Sequence, residues 1–260
     1  MGVAILDNNA KSKPLIIAHR GASFEAPENT LASAKLAWQQ NCDALEVDVH
    51  KSKDNHIVVI HDPDTLRTTG IKKIIRDENL TDIQKLDAGS WKNSKYKQEY
   101  IPSLKEVINT VPPDKKLCIE IKSADCVDLI DKLIKESHLQ PQQLVFMDFD
   151  INTVIAAKEV FHESEILWLY EFIPPLTEKN AQTTLDMIIE KAMAVKADGI
   201  NIEINPFIDQ NLIKKVHNCG MKFYTWTVND VTVAKNLINW AVDGITTDRP
   251  GWMKNKLFGS

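Results

Sequence analysis

The chain has 260 residues, 43% hydrophobic and 26% charged, enough to bury a sizeable core in one large domain or two small ones. Its 31 Lys and Arg against 36 Asp and Glu leave a net charge of −5 with no basic run. That excludes an extended nucleic-acid interface, though not a small anion held in a locally positive pocket. No stretch approaches the roughly 18 apolar residues of a membrane span, and the four cysteines lack CxxC spacing, so they read as buried free thiols.

The N-terminal MGVAILDNNAKSKP lacks the basic start and long apolar core of a signal peptide, so a cytoplasmic location is expected. Leu15–Ala18 (LIIA) reads as a short strand that ends in His19-Arg20-Gly21. Pro27-Glu28-Asn29-Thr30 then opens a helical pattern through Leu31, Ala34, Leu36 and Trp38, because Pro and Glu both suit a first helical turn.

The stretch Ala44–Asp62 (ALEVDVHKSKDNHIVVIHD) carries the first chemical signal. Leu45, Val47 and Val49 alternate with Glu46, Asp48 and His50, the period of a strand. Two carboxylates on one strand face repel by about 4 kcal/mol at about 4 Å and intermediate dielectric, so a half-buried strand accepts them only with a cation between them. Hard oxygen ligands suit Mg²⁺ or Ca²⁺. IVVIHD reads as another short strand that delivers His61 before the turn at Pro63.

From 63 to 102 the chain is polar and turn-rich, with Trp91, Tyr96 and Tyr100 interspersed, and is read as a small inserted subdomain over the active-site mouth. Beyond it, strands and helices alternate. Leu117–Lys122, 144–148, 166–170, 198–203, 221–226 and 243–247 are the strands; 127–134, 154–161, 181–194, 212–217 and 231–240 are the helices. Counting the strands from Leu15 and Ala44, eight strand-helix units at this length predict a single α/β domain over 1–260, a closed (β/α)₈ TIM barrel with an insertion after the second strand. No GxGxxG follows the first strand, which disfavours a doubly wound sheet.

A weak repeat supports the barrel. Asp43-Ala44-Leu45-Glu46, Asp198-Gly199-Ile200-Asn201 and Asp243-Gly244-Ile245-Thr246 share a helix-to-strand junction, which superposes Glu46 on Asn201 and Asp48 on Glu203 and Asp248. These positions face the barrel interior near the strand C-terminal ends, where barrel active sites lie. The same logic turns Glu120 and Lys122 inward with Cys118, and Ile119 and Ile121 toward the helices.

His19, Arg20, Glu46, Asp48, His61, Glu120 and Lys122 thus converge on one rim. Formally the three acids outweigh Arg20 and Lys122 by one charge, and a divalent cation reverses the sign to match a phosphodiester anion. Two histidines supply a base for the nucleophile and an acid for the leaving alkoxide near neutral pH. Glu28 and Asn29 read equally as helix-start or site residues, and Glu203 as a candidate rim polar group. His50, His56, His138, His162 and His217 read as surface residues, Trp38 and Trp240 as core.

HRGASFEAPENT (19–30), LEVDVHKSKDNHIVVIHD (45–62), LRTTG (66–70), IPSLKEV (101–107), IEIK (119–122), WTVND (226–230) and DGITTDRP (243–250) together resemble the glycerophosphodiester phosphodiesterases over about residues 15–250. The resemblance implies a (β/α)₈ barrel that hydrolyses glycerophosphodiesters to glycerol 3-phosphate and an alcohol such as choline or ethanolamine. By it, His19 and His61 are the acid/base pair and Glu46, Asp48 and Glu120 the ligands of one Mg²⁺ or Ca²⁺. Arg20 and Lys122 contact phosphate, and Trp226 packs near the glycerol or exit path. One departure is Met147-Asp148-Phe149 where a Ser-Phe is frequent, which adds a negative charge near the rim. A lysophospholipase D-like or sphingomyelinase D-like barrel would need an apolar acyl groove or membrane-facing loops, and the charged insertion has no basic amphipathic helix. A non-catalytic phosphate-binding barrel would need fewer of these groups.

Overall fold

In a computed structural model that describes residues 13–172 and 178–259, the N-terminal tail and the Pro174-Pro175 segment lie outside the described residues. The barrel staves are β1 (Leu15–Ala18), β2 (Ala44–Lys51), β4 (Lys116–Ile121), β5 (Leu144–Asp148), β6 (Glu165–Tyr170), β7 (Gly199–Glu203), β8 (Lys222–Trp226) and β9 (Gly244–Thr247), with β3 (Ile57–Val59) outside the ring. Every stave pairs in parallel with its neighbours, and the β1–β2 pairing (Ile17 with Ala44) closes the ring. The main surrounding helices are α1 (Leu31–Gln39), α5 (Val127–Lys135), α6 (Ile151–Val160), α7 (Glu178–Ala194), α8 (Gln210–Asn218), α9 (Val231–Asn239) and α10 (Pro250–Phe258). Short α2 (Leu66–Thr69), α3 (Leu80–Ile83) and α4 (Leu104–Ile108) fall between β3 and β4.

The period-two pattern sorts side chains into two apolar layers. Ile17, Ala44, Cys118, Val145, Met147, Leu167, Leu169 and Tyr224 fill the barrel, whereas Leu45, Val47, Ile119 and Ile121 pack outward under the helices. Cys42, Cys118 and Cys126 are buried free thiols; Cys219 is half-exposed.

The repeated aspartates close the barrel floor. Asp43, Asp198 and Asp243 each accept a backbone N–H from the preceding stave, from Ile16 (2.9 Å), Ile166 (2.9 Å) and Phe223 (2.8 Å). Each also donates its own backbone N–H to the carbonyl of that same residue. Cationic or imidazole partners complete the brace: Lys254, Lys158 and His217. His217 is therefore half-buried rather than a free surface residue.

Two sequence expectations are refined. The short strand expected over IVVIHD is present as Ile57–Val59: a tight reversal over Ser52–His56 turns it back antiparallel on β2, and His61 lies on the loop beyond. So short a connection permits only an antiparallel hairpin. Pro27–Asn29 also precede the helix. Thr30 caps α1 in a capping box with Ser33, while Asn29 takes a left-handed conformation (φ +54°) incompatible with a helical turn.

Asp243→Ala would leave the Phe223 N–H without its acceptor. It is expected to cost about 1–3 kcal/mol, read as a lower urea midpoint at unchanged m-value, with Asp243→Asn costing less.

Candidate active site

The strand C-terminal ends deliver the predicted residues to one rim. Leaving β1, the chain passes through Arg20 (φ +53°) and Gly21 (φ +87°). A Cβ at Gly21 would lie 2.4 Å from the Ser33 hydroxyl oxygen, so only glycine permits this turn against α1. The turn lets the Arg20 backbone N–H donate to Glu46 Oε2 at 2.8 Å. Asn29 donates from Nδ2 to Asp48 Oδ2 at 2.8 Å, which ties its left-handed backbone to the carboxylate cluster.

Glu46 and Asp48 on β2 and Glu120 on β4 present oxygens that all lie within 4.8 Å of one another. All three residues are buried, and Asp48 is fully so. Lys122 inserts its ammonium between Asp48 Oδ1 (2.8 Å) and Glu120, and Arg20 Nε lies 3.2 Å from Asp48 Oδ2. Burial would raise Asp48, but Lys122 and Arg20 outweigh it and hold the carboxyl well below its ordinary range. Burial and the Asp48 charge push Glu46 up to about 7 and Glu120 up to about 8. An all-oxygen set of three buried carboxylates, already drawing in an ammonium, fits a hard divalent cation.

Each histidine has its own carboxylate. His19 Nδ1 donates to Asp248 Oδ1 at 2.7 Å, and Asp248 also accepts from Ser23 and Asn229. Burial depresses His19, but Asp248 and Glu46 more than offset it, leaving it above its ordinary value. His61 Nδ1 donates to Asp62 Oδ1 at 2.8 Å, and burial leaves this imidazole below its ordinary value. His50, expected at the surface, is half-buried and donates from Nε2 to the His61 carbonyl at 3.0 Å.

Arg67 joins these parts. Its guanidinium grips both oxygens of Glu28 (2.8 and 2.9 Å) and donates from Nε to Asp62 (2.6 Å), while Arg20 Nη1 donates to Glu28 (2.9 Å). The 63–102 segment also reaches the β1–α1 loop through Lys92 to the Ser23 carbonyl and Tyr96 to the Glu25 carbonyl. Ile75, Ile83, Ala88 and Ile101 give it a small core shared with Val58 and Ile60.

A cavity of about 280 Å³ opens between two unlike walls. His19, Arg20, Glu46, His61 and Glu120 form one; Met147, Phe149, Leu169, Glu171, Asn201, Trp226 and Thr246 form the other. Lys122 reaches this cavity only through Glu120 and instead lines a neighbouring groove with His50 and Lys51. Asp148 is turned away from the rim. It is buried beneath α6, accepting the Asp150 N–H, so the inward neighbours Met147 and Phe149 shape the cavity. Asn201 Oδ1 and Trp226 Nε1 are buried without a hydrogen-bond partner among the described residues.

Sequence reasoning missed Asp62 and Arg67, and left Glu28 and Asn29 undecided. Asp248 had a signal, since the repeat turns it inward.

The Glycerophosphoryl diester phosphodiesterase family model matches residues 19–252. The chain is 34% identical to the Bacillus subtilis protein YhdW over 92% of this chain and 96% of that one. It is 32% identical to a glycerophosphodiester phosphodiesterase of Caldanaerobacter subterraneus subsp. tengcongensis, covering 94% and 97%. An Oleispira antarctica phosphodiesterase, solved in complex with the product sn-glycerol-3-phosphate, superposes with a TM-score of 0.83 at 30% identity, covering 94% and 96%.

Because Glu46 and Glu120 hold protons up to about 7 and 8, against an ordinary value of 4.5, these two groups bind more protons in the metal-free fold than in the unfolded chain across that window. The stability they contribute therefore falls as pH rises from about 4.5 to about 8. A divalent cation displaces those protons, so its stabilising effect is expected to grow from pH 5.5 to pH 8. Urea midpoints with EDTA and with added Mg²⁺ or Ca²⁺ measure this; a cation effect independent of pH would count against the triad as its site.

Proposed function

The chain belongs to the glycerophosphoryl diester phosphodiesterase family, and we propose that it releases glycerol 3-phosphate and an alcohol from small glycerophosphodiesters such as glycerophosphocholine and glycerophosphoethanolamine, with His19 and His61 as acid and base. The observation that carries this reading is the pairing of two carboxylate-held imidazoles with an oxygen triad around one cavity. The product complex of the Oleispira antarctica relative supports the same substrate class. At about 280 Å³ the cavity falls just below the roughly 300–1,000 Å³ typical of ligand sites, which favours a polar diester over a lipid carrying an acyl chain.

Glu46, Asp48 and Glu120 would hold one Mg²⁺ or Ca²⁺. When bound, that ion supplies charge stabilisation on the non-bridging phosphate oxygens and orients the diester. Arg20 and Lys122, already among the carboxylates, add positive charge to the same phosphoryl group. His61, held below the ordinary range, suits the base that takes the proton of an attacking oxygen, from water or from the substrate's own hydroxyl. His19, raised above its ordinary value by Asp248, suits the acid that protonates the departing alkoxide as the phosphorus–oxygen bond breaks. Trp226 closes the substrate side of the cavity. The 63–102 segment acts as a cap that braces this rim, since Arg67 clamps Glu28 and Asp62 together.

The test is glycerol 3-phosphate release from both substrates after EDTA treatment and after Mg²⁺ or Ca²⁺ is restored. Release should return only with metal, and His19→Ala or His61→Ala should lower kcat by about 10²–10⁴-fold. Near-normal turnover in either folded variant would refute the acid/base assignment. Asp248→Asn removes the largest influence that raises His19. Because an acid loses activity as pH rises through its pKa, the alkaline limb of the kcat/KM profile should move to lower pH, with kcat falling about tenfold.

A further inference from the structure

The two walls of the cavity differ in charge balance. On the reacting wall, Arg20 and Lys122 lie against the three carboxylates, which a divalent cation would offset further. The opposite wall carries Glu171 on its rim, and Glu203 adjoins it at the end of β7. Among the described residues neither forms a salt bridge, and no Lys or Arg lines this side of the cavity. Glu203 accepts the Phe172 backbone N–H, and burial together with the like charge of Glu171 raises its carboxyl.

Aromatic surface adjoins this acidic edge. Phe149, 39% exposed at the mouth, meets Trp226 edge-to-face at 5.7 Å between ring centroids. Below them Asn201, only 2% exposed, lines the cavity with Oδ1 unpartnered. A buried acceptor in this state is completed by a ligand or a water. The Glu171 carboxylate, an open acceptor and aromatic rings around one small volume, with Glu203 beside them, are what an organic cation requires.

We propose that this wall is a subsite for the departing alcohol and selects alcohols that carry a positively charged nitrogen, a primary or quaternary ammonium. This rests on the diesterase reading above and sharpens it. With metal bound, the substrate's phosphate meets the positive wall and its ammonium meets the negative one, so a zwitterionic diester matches both. A neutral alcohol matches only the first. Glu171 and the aromatic pair act on recognition rather than on the chemical step.

The experiment compares kcat/KM for glycerophosphocholine, glycerophosphoethanolamine and the neutral-alcohol diester glycerophosphoglycerol, each read as glycerol 3-phosphate release by metal-loaded enzyme. The cationic diesters should be preferred by about tenfold at low ionic strength, and the ratio should shrink as salt is added. Glu171→Gln and Phe149→Leu should each reduce that ratio about threefold or more. Preference for choline would place the larger contribution on the aromatic rings, preference for ethanolamine on Glu171 and Asn201; both support the subsite. Equal turnover of all three diesters, or an equal loss on all three in Glu171→Gln, overturns the inference and leaves the diesterase reading intact. No release from any diester overturns the diesterase reading itself.

Discussion

Three carboxylates crowded at the ends of two adjacent strands are the constraint on which this structure depends. Parallel pairing sets Asp48 beside Glu120 and Glu46 beside Cys118, so the acids converge whatever the loops do. Buried like charges at such range are sustained only by opposite charge or by protons. Both responses are present. Lys122 and Arg20 keep Asp48 ionised, while Glu46 and Glu120 retain protons to near-neutral pH. A carboxylate cluster compensated in this way is held ready for a stronger cation.

The surroundings follow from that demand. The left-handed conformations at Arg20, Gly21 and Asn29 bring a backbone N–H to Glu46 and a side-chain amide to Asp48. Such backbone strain persists where neighbouring contacts over-determine it. Glu28, drawn into the same loop, couples Arg20 to Arg67, and Arg67 carries the connection to Asp62 and His61. Electrostatic compensation and imidazole orientation are therefore one continuous network. That network explains why a segment that contributes nothing to the barrel ring is tied so closely to it.

The cavity completes the division of labour. One wall concentrates titratable groups whose environments differ: one imidazole raised by Asp248, the other lowered by burial. The other wall is aromatic and apolar, with open hydrogen-bonding atoms on Asn201 and Trp226. Titratable groups and aromatic surface thus fall on opposite arcs of the barrel, as a ring of independent strand ends allows.

Periodicity in the sequence was sufficient for the barrel, for the inward set Glu46, Asp48 and Glu120, and for the aspartate repeat, because these depend only on alternation along strands. It was insufficient wherever position depends on how loops meet. Nothing local marks Asn29 as a carboxylate partner, or Arg67 as a clamp between Glu28 and Asp62. Asp148 shows the same limit from the other side, since its charge was legible and its outward direction was not. The carboxylate behind each histidine, Asp248 for His19 and Asp62 for His61, decides which ring nitrogen is left free. For His19 that partner is 229 residues distant in sequence, so only the closed tertiary structure supplies it.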